Sequence, residues 1–227
     1  MEVLKTFRHE YKYLISYEEM LKLRAKLNKL LTIDRDYNGY MIRSLYFDSL
    51  NDIDYYEKLD GAMNRKKIRL RIYEYNSDKV KLEIKNKYDE HQLKETLVIS
   101  RAAAEELIKG NYGILLNSDN DIAKKIYLIL VENAYKPKVI IEYNRIAYTT
   151  MLGGRITFDF DIRSSNQIEQ FFDKDVNYIK NMDPKNVVLE VKFDRFLEPY
   201  ISNILNKYIS NRESVSKYVL GRNVENG

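Results

Sequence analysis

Several short segments of the chain carry charged side chains at every second position. In Lys67-Ile68-Arg69-Leu70-Arg71-Ile72-Tyr73, an extended backbone puts Ile68, Leu70 and Ile72 on one face and Arg69 and Arg71 on the other. Lys81-Leu82-Glu83-Ile84-Lys85 repeats the design with Glu83 and Lys85, and Val188-Leu189-Glu190-Val191-Lys192-Phe193 repeats it with Glu190 and Lys192. Near the N-terminus Arg8, Glu10 and Lys12 share a face, Asp159 and Asp161 share another, and Glu142 alternates with apolar neighbours. Arginine offers phosphate oxygens a planar fork of donors. Carboxylates interspersed among such cations can hold a divalent metal through oxygen. Together these residue types suit a polyanion, handled with a metal ion.

These side chains need strands to aim them. Period-2 patterns place strands at roughly 3–15, 40–48, 64–76, 79–88, 91–99, 137–149, 154–163 and 186–194. Ser16 with Glu19 forms a capping box ahead of a helix over about 17–31. Further helical patterns follow Ser100 and cover about 119–134, 197–209 and 214–221. Short hairpin-like connections at 76–79 and 88–91 add to an α+β reading with a large antiparallel sheet.

An ordinary sheet with one solvated face shows the same alternation. Two features favour a lumen instead. The charges sit centrally in their strands, and Glu-x-Lys and Arg-x-Arg spacings recur on strands far apart in sequence. A closed eight-stranded antiparallel barrel, apolar side outward against helices, would gather them inside.

Composition bounds the alternatives. The 227 residues suit a single domain spanning 1–227, and the net charge of +4 from 38 basic and 34 acidic residues argues against a nucleic-acid coat protein. With no cysteine and two histidines, His9 and His91, thiolate metal sites, cysteine nucleophiles and histidine-rich centres are excluded. No run approaches the roughly 20 apolar residues of a membrane span. No signal peptide is visible, so the expected location is cytoplasmic. Among the 20 tyrosines, Tyr11, Tyr13, Tyr46 and Tyr73 have the chemistry to stack a base or donate to phosphate, although tyrosine is also common sheet filler. Arg65, Lys66 and Lys67 form a basic run that either draws anions to a tunnel mouth or, the preferred reading, is a solvated strand start.

The chain resembles the VTC-type polyphosphate polymerases of the triphosphate tunnel metalloenzyme, CYTH-like superfamily. The resemblance rests on Arg8-His9-Glu10-Tyr11-Lys12-Tyr13, Ser44-Leu45-Tyr46-Phe47-Asp48, Ile68-Arg69-Leu70-Arg71, Leu82-Glu83-Ile84-Lys85, Leu189-Glu190-Val191-Lys192 and Ser216-Lys217-Tyr218, in that order. It implies an eight-stranded tunnel, a divalent metal (Mn2+ or Mg2+), and transfer of the terminal phosphoryl group of ATP to a growing polyphosphate chain. The superfamily's triphosphatases and cyclases carry Glu-x-Glu-x-Lys on the first strand. Here Arg8 takes the first position, ahead of Glu10 and Lys12, which favours the polymerase branch. Membrane segments of the fungal relatives are lacking, so any membrane coupling falls to a partner.

On that resemblance Arg69, Arg71, Lys85, Lys192 and Lys217 face the nucleotide triphosphate and the chain end. Arg8, Lys12, Lys94, Arg145, Arg155 and Ser216 are further phosphate contacts. Glu190 is the leading metal ligand, with Glu10 and Glu83 next, unless those two orient lumen lysines by salt bridges. Asp159 and Asp161 either join the metal or hold Arg155 or Arg163. Two rival functions remain: a metal-dependent triphosphatase, and a polyanion-binding module without catalysis.

Overall fold

The computed structural model describes residues 9–88, 91–209 and 213–223, so Arg8 lies outside the described residues. In chain order the elements are β1 (His9–Ser16), α1 (Tyr17–Leu27), β2 (Thr32–Asp34), β3 (Tyr40–Asp48), α2 (Ile53–Leu59), β4 (Asn64–Ile72), β5 (Lys79–Tyr88) and β6 (His91–Ser100). They continue with α3 (Arg101–Ile108), α4 (Asp121–Glu132), β7 (Lys136–Thr149), β8 (Arg155–Ser165), β9 (Ile179–Lys180), β10 (Asn186–Phe193), α5 (Pro199–Leu205) and α6 (Lys217–Asn223). The capping box is present: the Ser16 hydroxyl accepts from Glu19 N, and the Glu19 carboxylate accepts from Ser16 N.

The strands form one antiparallel sheet in the order β1-β10-β8-β7-β3-β4-β5-β6, with β2 beside β7 and β9 beside β8. Its outward face carries the apolar residues of the alternation. Ile68, Leu70, Ile72, Leu82 and Ile84 lie under α3 and α4, where Leu107, Ile126 and Leu130 meet them. Ile15, Ile156, Phe158, Leu189 and Val191 lie under α1 and α5, against Leu23, Leu27 and Ile201. Burying such side chains contributes about 1.5–3 kcal/mol each, so outward apolar packing fixes which face turns inward.

Hydrogen bonds do not close the expected barrel among the described residues. Among the described residues β1 and β6 do not pair, and the hydrogen-bonded path stays open between them. The free edge of β1 is met by the segment before α6, where Glu213 N donates to Lys12 O at 2.8 Å. Side chains also span the seam: Lys85 Nζ on β5 lies 3.0 Å from Glu10 Oε2 on β1.

The concave face is divided. One part is apolar, with Ile42, Tyr46, Val139, Ile141, Tyr143 and Val188 packed against Tyr218 of α6. Helix α6 lies directly on β7, because a Cβ at Gly221 would fall 2.1 Å from Ile141 Cδ1. The other part is charged.

Two expectations fail on β7 and β8, one of them at a bulge. The β7–β8 register shifts between Glu142 and Asn144, and Asp161 adopts φ +51 there. This bulge resets the alternation, so Ile162 faces inward and Asp161 does not continue the row begun by Asp159. Glu142 points outward, where its carboxylate meets Arg43 Nε at 2.6 Å and Arg163 Nη2 at 2.6 Å. Arg43 also donates to the Phe171 carbonyl at 2.9 Å, so this buried group braces the sheet rather than the lumen.

Candidate functional site

Three carboxylate-centred groups occupy the concave face. The first centres on Glu83 of β5. Arg69 Nε approaches it at 2.7 Å, Lys94 Nζ at 2.5 Å and Arg71 Nη1 at 3.8 Å. Arg69 is further fixed by Tyr46, whose hydroxyl accepts from Nη1 at 2.9 Å, and Arg71 Nε donates to Ser44 Oγ at 3.2 Å. Burial opposes ionisation of Glu83, but Arg69, Arg71 and Lys94 together hold its carboxyl well below the usual carboxylate range.

The second centres on Asp159 of β8, which accepts two parallel hydrogen bonds from Arg145 at 2.6 and 2.7 Å and meets Lys217 Nζ at 2.5 Å. Burial again opposes the charge, and Arg145 with Lys217 keeps Asp159 ionised. Asp159 thus holds neither Arg155 nor Arg163.

The third joins Glu10 of β1 to Glu190 of β10. The strand register sets Glu10 opposite Lys192 and Lys12 opposite Glu190. Lys192 pairs with Glu190 and lies 3.9 Å from Glu10 Oε2, while Lys12 is 3.1 Å and Lys85 3.0 Å from Glu10. Burial and Glu190 both raise the Glu10 carboxyl, yet Lys85, Lys12 and Lys192 bring it down to about 2. Burial and the neighbouring cations Lys192 and Lys12 depress Lys85 to about 8, with Glu10 acting the other way.

Beyond the third group the face opens into a cavity of about 290 Å³ lined by Lys12, Lys58, Arg65, Lys67, Lys85 and Lys87. Three of these lysines donate to neutral oxygens on the segment before α6. Lys58 Nζ reaches Ser214 Oγ at 2.7 Å, Lys67 Nζ reaches Ser216 Oγ at 2.8 Å, and Lys12 Nζ reaches the Val215 carbonyl at 3.2 Å. Burial, then Lys12, Lys85 and Lys58, push the Lys67 ammonium well below the ordinary lysine range. Arg65, Lys66 and Lys67 therefore line a cavity wall, which favours the tunnel-mouth alternative over the preferred reading of a solvated strand start. Sequence reasoning also missed Lys58, since nothing along the chain signals that α2 flanks this mouth.

The structure thus brings Arg69, Arg71, Lys85, Lys192, Lys217, Lys12, Lys94, Arg145, Ser216, Glu190, Glu10 and Glu83 onto one concave face. Arg155 sits at its rim, pairing with Asp34 at 2.6 Å and donating to the Tyr40 hydroxyl at 3.0 Å. His9 faces away, against Phe193.

The sequence profile of the VTC domain matches residues 7–225. The chain belongs to the VTC domain family. No curated protein matches it. Among solved structures, a candidate adenylyl cyclase from Hippeastrum with a dominant triphosphatase activity superposes with a TM-score of 0.57, at 13% identity over 95% of each chain. A candidate adenylate cyclase from Bacillus halodurans gives 0.55 at 14% identity, covering 89% of this VTC chain and 88% of the other. A chain of the Schizosaccharomyces pombe Mediator head module gives 0.53 at 6% identity, over 90% and 97%. At these identities the likeness is one of fold, and the chemistry must be argued from the residues themselves.

As for a metal, no group of three or more histidine, aspartate or glutamate side chains forms a cage among the described residues. Glu10 and Glu190 nevertheless fit a hard divalent cation. They are neighbouring oxygen donors that share Lys192, and magnesium-type ions typically take one or two carboxylates and complete their shell with substrate phosphate and water. Glu83 fits less well: the charges acting on its carboxyl are Arg69, Arg71 and Lys94, with no second carboxylate among them, whereas Glu190 acts on Glu10.

Proposed function

We propose that this VTC domain is a polyphosphate polymerase that moves the terminal phosphoryl group of ATP onto a polyphosphate chain. One observation carries the reading: the inward cations form two adjoining sets. Arg69, Arg71, Arg145, Lys94, Lys192 and Lys217 surround the three carboxylate groups. The mouth set of Lys58, Arg65, Lys67 and Lys87 continues outward from them, joined to them by Lys12 and Lys85, which pair with Glu10 and also line the mouth. A triphosphate needs only the first set. A second set in line with it suits a long polyanion whose end must reach the first.

The reaction asks for position and charge neutralisation rather than a protein nucleophile. A terminal phosphate oxygen of the acceptor bonds to the γ-phosphorus, the bond from that phosphorus to the β–γ bridging oxygen breaks, and ADP leaves. Arg69 and Arg71 are held by Glu83, Tyr46 and Ser44 before any ligand arrives, so their forks can receive phosphate oxygens without reorganisation. Lys217 and Arg145 are held likewise by Asp159. Glu190 and Glu10 would hold a divalent cation, which when bound supplies further neutralisation of phosphate charge.

The test is incubation with ATP and Mn2+ or Mg2+, resolved on a polyacrylamide gel. Long polymer with ADP is expected. Orthophosphate without polymer would make the domain a triphosphatase. Polyphosphate binding with no turnover in either metal would leave a binding module.

A further inference from the structure

The end of the concave face away from the lysine mouth has a different chemistry. Tyr40 opens β3 on the inward face, and Tyr73 follows the last residue of β4 on the same face, one register step beyond Arg71. Their rings are 6.1 Å apart and half-buried. The Arg35 guanidinium lies over both, 4.1 Å from the Tyr73 ring centre and 4.9 Å from that of Tyr40. Arg35 has φ +70, which is uncommon for a residue with a side chain, and this turn after β2 carries its guanidinium onto the rings. A flat cation seated on two aromatic faces marks a surface suited to a flat π system.

The sequence of side chains along β4 supplies the second argument. Its inward face reads Tyr73, Arg71, Arg69, Lys67, in steps of about 7 Å. An aromatic ring is followed by a row of cations, the order in which a nucleoside triphosphate presents its base and then its phosphates. The far rim supports the same order, since the Tyr40 hydroxyl accepts from Arg155, whose backbone pairs with that of Lys192. The lysine mouth is lined mainly by cations, with Tyr11 the aromatic side chain on its wall among the described residues.

We propose that Tyr40, Tyr73 and Arg35 form a stacking subsite for the nucleobase of the phosphoryl donor, which orients the terminal phosphate toward the lysine mouth, from which the acceptor chain approaches. Arg35 is exposed, so its guanidinium can lift and re-stack on the bound base. The inference rests on a nucleotide being the donor.

Calorimetric titration of the full chain with ATP and, separately, with inorganic tripolyphosphate, both with Mg2+, tests it. Tyr73→Leu and Tyr40→Leu should each weaken ATP about five- to a hundredfold, the range found for losing one base–aromatic stack, and leave tripolyphosphate within about twofold. Tyr73→Phe should retain ATP affinity, because the ring remains. Arg35→Ala, an exposed change that spares the fold, should weaken ATP alone. Equal loss of both ligands, or no loss of either, overturns the subsite. If the unmodified chain binds tripolyphosphate and ATP equally well, the base adds nothing and the subsite is again wrong while the phosphate site stands. If it binds neither, the tunnel reading itself fails.

Discussion

The carboxylate-centred interior and the lysine mouth are both rich in cations, yet they balance charge in opposite ways. Inside, Glu83, Asp159 and Glu190 hold Arg69, Arg145, Lys217 and Lys192 in direct ion pairs. At the mouth, Lys58 and Lys67 rest on serine hydroxyls, while Lys12 and Lys85 mark the border between the two regions, since both pair with Glu10. Paired cations stay charged and stay in place. Burial first, and then crowding by neighbouring cations, push Lys67 and Lys85 below the ordinary lysine range; Lys85 stays lowered although it pairs with Glu10, while Glu190 and Glu10 hold Lys12 above that range against its burial. The interior is thus prepared for one fixed geometry, and the mouth for an anion that brings its own neutralising charge.

The largest effect should come from the interior. Glu190→Gln keeps the shape but removes the charge that would anchor a metal, and turnover should fall by several orders of magnitude. Polyphosphate binding should survive, because the mouth is untouched. Parallel synthesis and binding assays on one preparation check this, and normal synthesis across a manganese titration would move the metal assignment to Glu10.

The next effect concerns stability. Glu83→Ala leaves Arg69, Arg71 and Lys94 without their shared anion, and removing one partner of a buried ion pair costs about 3–5 kcal/mol. Urea unfolding should show a loss of that order, partly restored by tripolyphosphate. An unchanged midpoint would mean the interior is not organised by its carboxylates.

A smaller, graded effect should follow pH. The Lys85 ammonium titrates near 8 in the folded chain and near 10.4 when unfolded. Between those values the unfolded chain binds the extra proton, so this group makes stability rise with pH through that window. Below about 8 the cost of the buried charge is fully present, and above about 10.4 it is gone. Lys67, lowered in the same direction, adds to the trend. Tripolyphosphate favours the charged forms, so its binding at pH 8–9 should take up protons. Calorimetry in buffers of different ionisation enthalpy measures that uptake, and zero uptake would contradict the lowering of Lys67 and Lys85.

Much of this was legible in the sequence because strands announce their faces. The alternation at Arg69 and Arg71, Glu83 and Lys85, and Glu190 and Lys192 assigned the concave face correctly. It failed where the backbone breaks the period, because the bulge at Asp161 separates that residue from Asp159; Glu142 instead faces outward to Arg43 by the unbroken alternation that turns Ile141 and Tyr143 inward. Helix α2 was missed for a local reason. Asp52 enters it at φ +54 without a side-chain cap, and the capping comes from Asp48 at the end of β3, which accepts from Asp54 N and Tyr55 N at 3.0 Å each. The open seam was also hidden, since strand count and alternation do not say whether the last edges pair. The division between paired and unpaired cations depends on contacts across the sheet that no single segment contains.

That division can be tested directly by the length of the product. The double variant Lys58→Ala, Lys67→Ala should lower the hold on the polymer while leaving the ion-paired interior intact. With saturating ATP and metal, ADP release should stay within a few-fold of the unmodified chain, while the polyphosphate on a gel shortens markedly because chains leave early. Full-length polymer made at a reduced rate would contradict the account, since it would place Lys58 and Lys67 with the transfer step rather than with the growing chain.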